Sequence, residues 1–124
     1  MYGIVVVSHS KKITDGIVEL INEMTHNSVK TISAGGTEDG RLGTSATFIM
    51  EQINSCVDCN RILIFCDMGS SILSSETALE LLEPEVRKKC IMVDGPIVEG
   101  AFVAAVQSMV TDELDEILRE VKNI

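Results

Sequence analysis

The chain alternates between short, unbroken apolar runs and longer stretches in which apolar residues recur every three or four positions. The runs are Gly3-Ile4-Val5-Val6-Val7, Arg61-Ile62-Leu63-Ile64-Phe65-Cys66 and Cys90-Ile91-Met92-Val93, with a weaker one at residues 29–33 that Lys30 and Thr31 interrupt. β-Branched runs without polar alternation predict parallel strands covered by helices on both faces. After the first run, Ile13, Ile17, Leu20, Ile21 and Met24 fall at helical offsets and predict a helix with one buried face, beginning near Thr14 or Asp15. Thr44 and Ser45 are hydroxyls suited to capping a second helix, with Ala46, Ile49, Met50 and Ile53 on one side. The third helix is predicted over 71–82, with Ile72, Leu79 and Leu82 inward and Pro84 just past its end. Residues 101–106 are apolar around every face, which predicts cover from a subunit interface or from the last helix, whose Leu114, Ile117, Leu118 and Val121 are helically spaced.

The resulting order is strand-helix four times with one more helix, and no linker-like composition interrupts it. It predicts one α/β domain over residues 1–124, a three-layer sandwich with a central, mainly parallel sheet of about four strands and helices on both faces. In the order 2-1-3-4 the loops after the first and third strands meet at the switch point, where open parallel sheets bind ligands. Those loops carry the chain's most reactive groups: Ser8-His9-Ser10 after the first strand and Asp67-Met68-Gly69-Ser70-Ser71 after the third. Between them, residues 34–45 contain Gly35, Gly36, Gly40 and Gly43, without the Gly-x-Gly-x-x-Gly or P-loop lysine of a nucleotide site.

Composition narrows the function. With three Phe, one Tyr and no Trp, the core is aliphatic, and 124 residues suit a single hydrophobic core. A net charge of −9 argues against nucleic acid, which demands clustered positive charge. No apolar run approaches a membrane span, and the first lacks the basic start of a signal peptide, so a cytoplasmic protein is expected. Cys56-Val57-Asp58-Cys59 has metal-like spacing, but no second pair accompanies it and it follows a helix, so reduced thiols and no metal or other cofactor are expected.

A histidine beside an aspartate, with no nucleophilic serine on a strained elbow, suits imidazole as nucleophile or general base. A carboxylate accepting from one ring nitrogen fixes the tautomer and leaves the other lone pair free to attack phosphorus. Backbone N–H groups at the helix starts, with the hydroxyls around them, could then receive phosphoryl oxygens. A phosphohistidine carrier is one candidate and a hydrolase remains another.

Val7-Ser8-His9-Ser10, Ala34-Gly35-Gly36 leading to Gly43-Thr44-Ser45, Asp67-Met68-Gly69-Ser70 and Pro96-Ile97-Val98-Glu99-Gly100-Ala101 together resemble the phosphotransferase subunits of bacterial phosphoenolpyruvate-dependent dihydroxyacetone kinases, a branch of the mannose-type enzyme IIA domains. The likeness runs over essentially the whole chain. It implies that His9 takes a phosphoryl group from phospho-HPr and passes it to ADP on the kinase's nucleotide-binding subunit. It also implies that Asp67 orients the ring, that Ser10, Gly43, Thr44, Gly69, Ser70 and Ser71 surround the phosphoryl group, and that the protein is a homodimer. Sugar-transporting mannose-type domains usually follow this aspartate with two glycines, a small hydroxyl residue and proline. Met68-Gly69-Ser70-Ser71 points instead to the dihydroxyacetone branch. The chain ends at Ile124 without the fused HPr-like domains of some members, so free HPr is the expected donor. Two other readings are an enzyme IIA component of a mannose-type sugar transporter and a regulator read through its phosphorylation state.

Overall fold

The structure, a computed structural model, describes residues 1–124. Four parallel strands form one sheet in the order β2-β1-β3-β4: β1 (Tyr2–Val7), β2 (Lys30–Ser33), β3 (Arg61–Cys66) and β4 (Cys90–Met92). Val5 of β1 aligns with Ile32 of β2 and Ile64 of β3, and Ile64 with Met92 of β4. Six helices connect and flank the strands: α1 (Lys11–Thr25), α2 (Ala46–Asn54), α3 (Gly69–Leu81), α4 (Pro84–Arg87), α5 (Ile97–Ser108) and α6 (Leu114–Lys122).

Every residue of β1 is buried, which is why its sequence does not alternate. Alternate side chains feed two separate cores. Tyr2, Ile4 and Val6 join Leu63 and Phe65 of β3 beneath α1, α5 and α6, through Ile17, Ile21, Ala101, Ala104, Ile117 and Val121. Val5 and Val7 join Ile62 and Ile64 beneath α2 and α3, through Ile49, Ile53 and Ala78. The expected three layers and strand order are therefore present.

Several local expectations give way. α1 begins at Lys11, capped by the Ser10 side chain, which accepts from the Ile13 N–H. Its buried face is Thr14, Ile17, Ile21 and Thr25, whereas Ile13, Leu20 and Met24 are 50%, 45% and 57% exposed. Threonine replaces aliphatic residues there because each hydroxyl has a partner: Thr25 Oγ1 donates to the Ile21 carbonyl, and Thr14 Oγ1 accepts from the Gly35 N–H. α3 starts two residues earlier than predicted, and its inner face is Ser71, Ser75 and Ala78, with Ile72 exposed. The segment after α3, which Pro84 was expected only to terminate, contains the short α4 with Pro84 in its first turn. α5 turns Gly100, Ala101, Ala104 and Ala105 toward the sheet. The missing side chain at Gly100 admits Phe65, whose ring a Cβ would approach to 3.0 Å.

The four cysteines are free; Cys56 and Cys59 are buried beneath Gly3, and burial pushes the Cys56 thiol up to about 11. No helix is long and apolar enough to cross a membrane.

Candidate functional site

β1 and β3 are central neighbours running in the same direction, so the backbone after Val7 and the backbone after Cys66 emerge side by side at the carboxyl edge. Pairing continues one step beyond the strands, where the Asp67 N–H donates to the Val7 carbonyl at 3.2 Å. Residues 59 positions apart thus face each other: the Ser8 hydroxyl donates to Asp67 Oδ2 at 2.8 Å. The His9 N–H reaches the same oxygen at 3.3 Å, and the Met68 N–H donates to Oδ1 at 2.7 Å.

The His9 ring lies over this carboxylate with Nδ1 3.2 Å from Oδ1, its side chain 29% exposed against 15% for Asp67. Burial by itself would raise the Asp67 carboxyl pKa. The hydroxyls of Ser8 and Ser71 and the backbone N–H groups of Met68 and His9 outweigh it and hold the group down at about 2. An ionised carboxylate can only accept, so Nδ1 carries a proton and, in the neutral ring, Nε2 keeps its lone pair. Nε2 faces outward and meets the Ser70 hydroxyl in a short contact.

The remaining candidates divide. Gly43 donates its N–H to the His9 carbonyl at 2.8 Å, which ties the glycine-rich loop to the end of β1, and its φ of 129° is a conformation that side chains rarely adopt. Gly36 adds a bond from its N–H to the Ser8 carbonyl at 3.0 Å and a bridge to Thr44. Thr44 shares a hydrogen bond of 2.7 Å with Ser74, so its hydroxyl is held against α3. Ser10 is occupied as the cap of α1, while Gly69 and Ser70 form the first turn of α3, whose N–H groups point out of the helix end. Ser71 is fully buried; its hydroxyl donates to the Met68 carbonyl, accepts from the Met68 N–H, and helps to hold the Asp67 carboxyl pKa down. It fixes the turn that carries Ser70.

Two features escaped sequence reasoning. Ser8 is a buried hydroxyl aimed at Asp67, whereas in the sequence it is one of two serines flanking a histidine. A cleft of about 300 Å³ also opens beside Asp67, lined by Ile72, Met92, Val93 and Asp94. Leu42 in the glycine-rich loop, Met68 after β3 and Leu73 in α3 are 80%, 59% and 66% exposed, apolar side chains on a strongly acidic molecule.

A polarised histidine at the switch point of a parallel sheet, ringed by hydroxyls and helix-start amides, is suited to group transfer through nitrogen. The family model EIIA-man, described as PTS system fructose IIA component, matches residues 3–118, and the chain belongs to this family of phosphotransferase system components. Among its relatives, the phosphoryl donor subunit DhaM of PEP-dependent dihydroxyacetone kinase 2 from Listeria innocua is 54% identical over 124 residues, covering 100% of this chain and 99% of that protein. A DhaM subunit of Escherichia coli is 39% identical across 95% of this chain, which spans only 26% of that longer protein. A crystal structure of a protein of unknown function, EF1359, superposes with a TM-score of 0.89 at 44% identity, covering 98% and 93% of the two chains. The EIIA component from Streptococcus agalactiae shares the fold, with a TM-score of 0.72 at 18% identity and coverage of 99% and 91%.

Proposed function

We propose that this chain is the phosphoryl donor subunit of a phosphoenolpyruvate-dependent dihydroxyacetone kinase, carrying the phosphoryl group on His9 Nε2. The observation that carries the reading is the pairing of Nδ1 with Asp67 at 3.2 Å, which leaves Nε2 unprotonated and directed outward. The 54% identity to a DhaM subunit over the full chain supports the choice of acceptor.

In the first step the Nε2 lone pair attacks the phosphorus of phospho-HPr in line, and the P–N bond to the donor imidazole breaks with its electron pair returning to that ring. The new phosphohistidine is positive on the ring, and the adjacent Asp67 carboxylate stabilises that charge. The Ser70 hydroxyl, which meets Nε2, and the amides of Gly69 and Ser70 at the start of α3 would receive the phosphoryl oxygens, and Gly43 supports the site through its bond to the His9 carbonyl. In the second step a β-phosphate oxygen of ADP, held on the kinase's nucleotide subunit, attacks the same phosphorus and Nε2 leaves, forming ATP. The exposed apolar side chains of Leu42, Met68 and Leu73, on the segments that follow β2 and β3, would be available to both partners in turn. The chain is further read as a homodimer joined through a groove of about 460 Å³ between α1 and α5, lined by Leu20, Met24, Val98 and Phe102.

Incubation with phosphoenolpyruvate, enzyme I and HPr tests the carrier role by intact mass. An acid-labile phosphate is expected on the protein and absent from His9→Ala; no phosphate on the unaltered protein overturns the role. Discharge of the purified phosphoprotein then tests the acceptor. Loss of phosphate to ADP plus the kinase subunit is expected, whereas discharge only by a membrane sugar permease replaces this reading with that of a sugar transporter component.

A further inference from the structure

We propose that Ser8 is a positioning residue of the transfer reaction, a fixed hydroxyl that sets the orientation of Asp67 and through it the tautomer of His9; this rests on the reading of His9 as the phosphoryl-carrying group. Ser8 lies wholly inside the protein, so its hydroxyl has no water to fall back on. Its oxygen accepts the Ser10 N–H at 3.1 Å, and its proton is spent on Asp67 Oδ2 at 2.8 Å. The rotor is therefore locked from both ends, and the two residues flanking His9 are joined beneath the ring. Asp67 Oδ2 receives Ser8 and the more distant His9 N–H at 3.3 Å, while Oδ1 receives the Met68 N–H and the ring Nδ1–H. Ser8 supplies the close side-chain hydrogen bond to Oδ2 at 2.8 Å, with the Ser71 hydroxyl a further side-chain donor toward the carboxylate. Without it the best-held contact of Oδ2 disappears, the carboxylate can turn about its own axis, and Oδ1 no longer stays beneath Nδ1. Ser8 touches neither phosphorus nor Nε2, so its effect has to travel through Asp67.

The test uses Ser8→Ala, which removes one oxygen, and reads two independent signals. Nitrogen-15 NMR of the unphosphorylated protein reports the His9 tautomer without any dependence on phosphoryl transfer. The Nδ1–H form is expected to dominate in the native protein and to become a mixture in Ser8→Ala. Single-turnover transfer from phospho-HPr is expected to slow about tenfold with KM unchanged, and to slow less than twofold when Ser8→Ala is added to Asp67→Asn. A native tautomer ratio in Ser8→Ala overturns the proposal, as does an equal slowing in both backgrounds or a change confined to KM. Should Ser8→Ala fail to fold, Ser8→Cys keeps a weak donor and is expected to lie between, and native behaviour of that variant likewise overturns it. Failure of His9 to accept phosphate would sink the carrier reading while leaving the tautomer result to decide this one.

Discussion

At the scale of single residues the site depends on one carboxylate that is kept charged. Asp67 has its pKa depressed to about 2 in the folded protein, below its value in an unfolded chain. A depressed pKa stabilises the fold above the unfolded value and loses that stabilisation as pH falls toward the folded one. Asp67 should therefore contribute about 2 kcal/mol near neutrality, declining below roughly pH 4 and gone near pH 2. Urea unfolding of native protein and Asp67→Asn at a series of pH values checks this, and a stability gap that stayed constant down to pH 3 would refute it. The same substitution replaces an acceptor-only carboxylate by an amide that can also donate, so the ring is no longer held in one tautomer and transfer should fall about 10²-fold while circular dichroism at neutral pH stays native. His9 and Asp67 were legible in the sequence because each ends an apolar run. Ser8 and Ser71 were not, because a serine in a hydroxyl-rich turn looks the same whether it faces a ligand or closes a buried hydrogen bond.

At the scale of elements the glycine-rich loop is held by close packing as well as by hydrogen bonds. A Cβ on Gly35 would lie 2.4 Å from Thr14 Oγ1 and 2.5 Å from the Ser10 carbonyl, closer than any real contact. Both neighbours belong to the start of α1, directly after His9. Gly35→Ala should thus destabilise the protein by about 1–3 kcal/mol and push the loop away from the end of β1. Chemical denaturation gives the first quantity, and a slower phosphoryl transfer in the folded fraction the second; Gly40→Ala, where no atom lies within 4 Å but φ is +81°, should perturb only the loop tip. The same region explains why the predicted start of α1 fell three or four residues late. Periodicity counts apolar residues, but the first buried position of this helix is Thr14, whose hydroxyl is satisfied by Gly35 and Ser33. α3 was misread at its start for a related reason: Ser71, Ser75 and Ala78 face inward and the larger Ile72 and Leu73 outward, while Leu79 and Leu82 pack on the core as expected. The central strands β1 and β3 had no such ambiguity, since burial on both faces leaves little room for polar substitution, whereas the half-buried β2 admits Lys30 and Thr31.

At the scale of the whole molecule exposed apolar surface occurs in two places. Leu42, Met68 and Leu73 lie on the segments that follow β2 and β3, while Leu20, Met24, Val98 and Phe102 form a groove on the α1–α5 layer. Exposed aliphatic residues scattered singly are ordinary, but a groove whose lining is almost wholly apolar is costly to leave in water. The sequence announced half of this, in the all-apolar stretch of α5, and the structure divides its faces: small residues against the sheet, Val98 and Phe102 toward the groove. Leu20 and Val98 are 45% and 38% exposed, so Leu20→Glu with Val98→Glu can be introduced without opening either core. A homodimer closed through this groove predicts a dimeric mass by sedimentation for the native protein and a monomeric one for the double variant at the same concentration, because two buried, unpaired carboxylates at an interface weaken association by 10²-fold or more. The His9 tautomer should be identical in both forms, since the groove residues come from α1 and α5 and the ring is held from the ends of β1 and β3. A native protein that sediments as a monomer would leave the groove without this partner, and a double variant that remains dimeric would place the contact on another face.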